Sequence, residues 1–227
     1  MVDEVKKVRD DFQAFLVDGA EFTGPEDYPV IKEWMISDEF PEKIVPFNKI
    51  KETKNIEDYY ICFYCQDVDF LRIKRNPRRY IGMLQKSKGI IGLDFSVYID
   101  MPKIVQKKQM FDNLALTYFY GANGIKVIPN IRYGIDELTD DFLNAIPKGH
   151  LIAIGTYGFI KTVKEQNVWF EHINKIIETL EPKGIIVYGS LPKDFKSWLE
   201  LNNIKFKVYE SYHSKRMREV KNNVNKG

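Results

Sequence analysis

The chain has 227 residues, 44% hydrophobic and 29% charged, the make-up of an ordinary soluble globular protein. With 34 basic and 32 acidic side chains the net charge is +2, so no global field selects nucleic acid or an acidic membrane as partner. The length suits one large domain or two small ones, and either can bury a core.

The N-terminus "MVDEVKKVRDDF" has no apolar signal core, and no window approaches the ~20 apolar residues of a membrane span. A cytoplasmic protein is expected. Val5, Val8, Phe12, Phe15 and Leu16 recur at helical spacing, which predicts an amphipathic helix over 3–17. "DGAEFTGPEDYP" then breaks the chain with turn residues. "PVIKEWMIS" reads as a second short helix, and "EKIVPFNKI" as a short extended piece limited by its proline. Cys62 and Cys65 form a lone CxxC on a strand, pointing to opposite faces, and are expected as two reduced, partly buried thiols.

From residue 59 the pattern becomes regular. Apolar runs stand at 59–65, 89–95, 125–131, 150–157, 184–190 and 204–210, with helical spacing between them. Gly89, Gly124, Gly149 and Gly184 stand at or near the start of four runs, where the preceding helix wants a C-cap. Continuous apolar strands alternating with helices predict βα units, a mostly parallel sheet and an α/β fold. A short or incomplete α/β barrel is favoured over an open doubly wound sheet, because nearly every strand ends in a polar residue. One domain is expected over 1–227: a helical N-terminal extension (1–43), a βα core (44–211) and a frayed basic tail (212–227).

In α/β folds, ligands bind beyond the carboxyl ends of the strands. Those ends carry Gln66 and Asp67, Asp94 and Ser96, Asn130 and Arg132, Thr156 and Tyr157, Tyr188 and Ser190, then Glu210 and Ser211. The set predicts an enzyme-like pocket for a phosphorylated or nucleotide-like small molecule. Asp67 and Asp94 would be acid/base or metal-holding carboxylates, and Ser96 a catalytic hydroxyl. Asn130 and Arg132 would orient the anion, with Thr156, Tyr188 and Ser190 beside them. Asp67, Asp94 and Glu210 would suit Mg²⁺ or Mn²⁺, though their spacing demands no metal. The competing reading is that these short polar residues cap helices and brace loops. His150 lies at the opposite end of its strand, His172 is expected on a solvent or edge face, and only His213 could reach the pocket. No phosphate-loop, dinucleotide or nucleophile-elbow motif is present in the sequence.

Two other classes compete. Arg72, Arg75, Arg78 and Arg79, set between aromatics and joined by the basic tail, would bind nucleic acid by releasing counterions. An exposed aromatic patch at Tyr118, Phe119 and Tyr120 would instead dock a host or defence protein, making the chain a non-enzymatic effector.

Taken in order, "DVDFLRIKRNPRRY", "GLDFSVYIDMP", "GANGIKVIPNIRYG", "HLIAIGTYGFIK" and "GIIVYG" resemble an uncharacterised domain-of-unknown-function family of bacteria, prophages and phages. The resemblance covers about residues 40–192, and its most specific part is DFS…MP together with IPN. It implies a phage or mobile-element protein of the host cytoplasm and brings no established activity. The family pattern has an Arg-rich stretch after the Asn matching Asn113, where this chain has "NLALTYFYG", and a Trp near Tyr133 that is absent here. If those arginines bind the family's ligand, this member binds it differently or not at all.

Overall fold

The computed structural model describes residues 13–98, 100–132, 136–156 and 163–224. Seven of its strands are parallel: β1 (Lys43–Pro46), β2 (Tyr59–Cys62), β3 (Gly89–Ile91), β4 (Val127–Ile128), β5 (Leu151–Gly155), β6 (Gly184–Tyr188) and β7 (Phe206–Tyr209). The longer helices are α1 (Asp67–Arg75), α2 (Lys103–Ala122), α3 (Asp136–Asn144), α4 (Val163–Leu180), α5 (Lys193–Leu201) and α6 (Tyr212–Val224). β2 to β7 fall on the six expected apolar runs and β1 on the short extended piece expected before them, so the α/β class holds.

β1 to β4 form one parallel sheet and β5 to β7 another, both in sequence order. A parallel bridge between Asn130 and Ala153 joins them. There the Ala153 amide donates to the Pro129 carbonyl and the Ile131 amide to the Ala153 carbonyl, both at 2.8 Å. This sequential order differs from a doubly wound sheet, whose order reverses at a switch point. Seven flat strands at the usual spacing would also hold their edges about 29 Å apart. Instead Lys207 and Tyr209 of β7 donate to the carbonyl of Pro41, just before β1, with Lys207 Nζ at 2.7 Å. The wall therefore curls. No ladder joins β1 to β7 among the described residues, so the expected barrel is not closed by backbone hydrogen bonds.

Strand alternation divides the apolar residues between two cores. Ile61 and Phe63 pack with the helices, whereas Tyr60, Cys62 and Tyr64 join Ile91, Ile128, Ala153, Ile186 and Tyr188 on the other face. With both faces buried, the strands read as continuous apolar runs.

The N-terminal extension differs from its expected helices. Residues 3–12 lie outside the described residues, and Ala14–Val17 and Glu33–Met35 are single 3-10 turns. The Val30 and Ile31 amides donate to Glu21 and Ala145 carbonyls instead of to an α-helical ladder. A two-residue antiparallel pair, Phe22–Thr23 with Tyr28–Pro29, lies between the turns. The basic tail is the helix α6 through Val224 rather than frayed chain. Tyr118, Phe119 and Tyr120 are all buried, because the C-terminal half of α2 is enclosed on every side, so they make no exposed patch. His172 is buried rather than on a solvent face, on the same helix as buried Trp169, Ile173 and Ile176. Both cysteines are free thiols, Cys62 buried and Cys65 half-buried. No described helix is long and apolar enough to cross a membrane.

Candidate functional site

β3 stops at Ile91, but the chain runs on extended through "GLDFS" without a neighbouring ladder. Buried backbone groups there still need partners, and side chains supply them. Thr117 Oγ1 accepts the Leu93 amide at 3.1 Å, and Asn130 Nδ2 donates to the Leu93 carbonyl at 3.0 Å. Asn113 bonds both backbone groups of Phe95, accepting at 2.7 Å and donating at 3.1 Å. Asp67, in the first turn of α1, accepts the Ser96 amide at 3.2 Å and the Ser96 hydroxyl at 3.0 Å. The DFS and IPN motifs thus meet physically, through Asn130. Pro102 of the "MP" pair sits immediately before α2, where a residue without an N–H costs the helix nothing.

Beyond these clamped ends a cavity of about 770 Å³ opens at the carboxyl ends of the strands. Tyr64, Cys65 and Gln66 after β2, Asp94, Ser96 and Tyr98 after β3, and Arg132 after β4 form one part of its wall. Gly155 and Tyr188 come from β5 and β6. Pro46 ends β1 and Asn48 and Lys49 follow it, Asp69 stands on α1, Ser211 precedes α6, and Tyr212, His213 and Arg216 lie in its first turns.

A buried polar chain crosses the cavity floor. Tyr64 donates to Asn130 Oδ1 at 2.8 Å, Asn130 Nδ2 donates to Asp94 Oδ1 at 2.8 Å, and Arg132 Nε lies 3.3 Å from the same carboxylate oxygen. Burial pushes the Asp94 carboxyl above the ordinary aspartate range; Arg132 and the Asn130 amide pull it back only in part. Burial, with the Asp94 charge, also raises the Tyr64 phenol well above its usual value. The result is a carboxyl with a raised affinity for a proton beside a guanidinium, inside a cavity.

The Tyr64 and Tyr188 rings stack at 4.8 Å with 19° between their planes. A side chain at Gly155 would put its Cβ 2.7 Å from the Tyr64 ring, so glycine is what lets the pair form. The Tyr188 hydroxyl accepts the Tyr212 amide at 3.0 Å and anchors the start of α6. Ser211 caps that helix, its hydroxyl accepting the Ser214 amide at 3.2 Å. Lys49 Nζ rests 5.3 Å from the centre of the Tyr212 ring. Burial pushes the Cys65 thiol up to about 12, so it is no ready nucleophile.

Of the residues singled out in the sequence, Asp94, Ser96, Arg132 and Tyr188 line the cavity, and Asn130 holds Asp94 in place. Gln66, Ser211 and His213 line it too. Asp67 is outside the lining and braces Ser96. Thr156 and Ser190 also stay out: the Thr156 hydroxyl donates to the Ser190 carbonyl at 2.7 Å, tying the end of β5 to the end of β6. Tyr157 lies outside the described residues. Glu210 pairs with Arg218 at 2.8 Å, and no group of three metal-ligating side chains converges among the described residues. His150 stands at the opposite end, 3.1 Å from Asp38. Arg72, Arg75, Arg78 and Arg79 are all exposed, with Arg72 stacked on Phe47 and Arg78 on Phe15.

Sequence reading missed Asn48, Lys49, Tyr64, Tyr98, Tyr212 and Arg216. Tyr64 carried a signal, since it shares strand parity with Tyr60 and Cys62. The α6 residues carried little, because a basic segment after the last strand reads as a solvated tail.

The chain is similar to the Gene 1 protein of Mycobacterium phage D29, 21% identical over 200 residues that cover 85% of this chain and 73% of that protein. It is also similar to the Gene 1 protein of Mycobacterium phage L5, 23% identical over 129 residues, 57% of this chain and 56% of that protein. Residues 22–207 match the family model described as a domain of unknown function, DUF4417. That span holds β1 to β6 whole, the first half of β7, and every lining residue except the four from Ser211 to Arg216. The protein belongs to the DUF4417 family, a phage-associated family of unknown function.

Proposed function

We propose that the cavity binds a phosphorylated, nucleotide-like small molecule and that the domain is enzyme-like, acting in the cytoplasm of a phage host. The observation that carries this reading is the buried Arg132–Asp94 pair on the floor of a strand-end cavity of about 770 Å³. Cavities of roughly 300–1,000 Å³ hold small organic ligands. Arg132 offers a planar fork of donors to an anion, and Lys49 and Arg216 add positive charge at the wall. Tyr98, half exposed, and Tyr212 offer flat rings to a base. Asp94, with its raised affinity for a proton, is the candidate general acid, while Asp67 positions Ser96.

Thermal unfolding against nucleoside phosphates and their unphosphorylated parents tests this. A true ligand at a hundred times its Kd stabilises the fold by about 2.7 kcal/mol. The combined Lys49→Ala and Arg216→Ala substitutions should lose most of that shift and leave the free protein's melting temperature near wild type. Equal shifts from phosphorylated and unphosphorylated nucleosides, or no shift from either, would overturn the reading.

A further inference from the structure

One side of the cavity mouth continues into a line of cations that a free mononucleotide would not need. Arg72 on α1 lies over the Phe47 ring at 4.9 Å. Two residues on, Lys49 lies over Tyr212, and one helical turn beyond Tyr212 stands Arg216. These contacts string α1, the 3-10 stretch Phe47–Glu52 and α6 along one rim, and Lys49, Tyr212 and Arg216 are themselves part of the cavity wall. Arg75 follows Arg72 by one turn of α1, Lys51 follows Lys49, and Lys215 precedes Arg216; all are exposed. Glu52 and Glu210 are taken up by Lys49 and Arg218. Among the described residues no carboxylate pairs with Arg72, Arg75, Lys51, Lys215 or Arg216. Tyr98, 49% exposed, presents its ring within the same cavity.

A cationic track beside aromatic rings is the chemistry that holds single-stranded nucleic acid: the cations follow the backbone and the rings stack with bases. We infer that the cavity takes one nucleotide of a single-stranded polynucleotide, whose neighbouring phosphates run along Arg72, Lys51, Lys215 and Arg216. This rests on the cavity being a nucleotide site and extends it to the polymer. Of the four arginines between residues 72 and 79, it uses Arg72, with Arg75 next in line.

The test is fluorescence anisotropy with labelled single strands of roughly 12 nucleotides, one of DNA and one of RNA. At least one arm should bind more tightly than any mononucleotide. About four phosphate contacts should weaken that binding about 50-fold between about 50 and about 200 mM salt. The difference between the arms identifies the polymer. Arg72→Glu with Lys51→Glu should weaken the oligonucleotide more than tenfold and flatten the salt slope, yet keep the mononucleotide-induced thermal shift. Lys51→Glu with Lys215→Glu, which touches no ring stack, should do the same if the first variant proves unstable. If mononucleotides bind and oligonucleotides bind no tighter, the inference falls and the cavity reading stands. If neither binds, both fall. Oligonucleotide binding that survives Tyr98→Ala and Arg216→Ala together lies outside the cavity and overturns the inference.

Discussion

At Asp94 and Arg132, each with 9% of its side chain exposed, burial opposes charge while pairing restores it. Removing one partner of such a pair typically costs about 3–5 kcal/mol, because the other is left uncompensated. Arg132→Met should therefore destabilise the free protein, so Arg132 braces the fold as well as offering an anion site. The loss has a pH signature. Asp94 already holds its proton more tightly in the folded state than a free aspartate, and Arg132 is the strongest influence opposing that. Without Arg132 the folded pKa climbs further. A carboxyl raised by folding penalises the fold above that pKa, and the penalty fades as pH falls through it. Urea midpoints of Arg132→Met should lie furthest below wild type at the alkaline end and draw closer as pH falls toward the unfolded aspartate value of about 3.9. A gap that stays constant with pH would mean that Arg132 contributes packing alone. Asp94, Asn130 and Arg132 were legible as polar groups at strand ends. Their mutual bonding was not, because it depends on the crossing from β3 to β4, which no local pattern encodes.

Among the elements, the strands were the most legible and their ends the least. Expected runs such as 89–95 and 125–131 contain the short strands Gly89–Ile91 and Val127–Ile128. Past Ile91 the first run is satisfied by side chains, Asn113 and Thr117 on α2 and Asn130, and past Ile128 the second is satisfied by the backbone bridge to Ala153. Apolar periodicity cannot separate a ladder from an extended segment held by amide side chains. α6 was misjudged for a different reason. Its anchor is a tertiary bond, from the Tyr212 amide to the Tyr188 hydroxyl, and its sequence is too polar to announce a core-facing stripe. Tyr188→Phe isolates that anchor, since the ring can keep its stack on Tyr64. Losing the acceptor should cost about 1 kcal/mol. Amides in the first turn of α6 should exchange faster than in wild type, with little change in β5 and β6. Unchanged exchange in α6 would show that the Ser211 cap and the Lys49 stack suffice to hold it.

Across the whole molecule, the chain just before β1 does what the two sheets do not do by ladder. The Ser37 amide donates to the Val127 carbonyl at 2.9 Å, and its hydroxyl bonds the Tyr60 hydroxyl at 2.6 Å. Phe40 packs where a Cβ on Gly184 would come within 2.7 Å of its ring, and the Pro41 carbonyl receives Lys207 and Tyr209. Asp38 accepts the Leu151 amide at 2.9 Å and lies 3.1 Å from His150 Nδ1 and 3.6 Å from Lys183. Residues 37–41 thus bind β4, β5, β6 and β7 at the end opposite the cavity, and they hold the curl on which its geometry depends. A Ser-Asp-Glu-Phe-Pro run reads as an ordinary turn, so this role was invisible beforehand. Burial alone would raise the Asp38 carboxyl, but the Leu151 amide, His150 and Lys183 outweigh it and leave it below the usual aspartate value. A carboxyl lowered by folding stabilises the native state above the unfolded pKa of about 3.9, and that gain is lost as pH falls through the folded pKa. Asp38→Asn keeps the shape and an acceptor for Leu151 but removes the charge. It should lower stability by about 1–2 kcal/mol at neutral pH, the size expected for a partly exposed charge-assisted bond. Urea melts should show the gap between Asp38→Asn and wild type closing as pH drops from about 6 to about 2.5. A gap that persists at the acid end would assign the loss to altered packing of residues 37–41, and the charge on Asp38 would then contribute nothing to holding the curl.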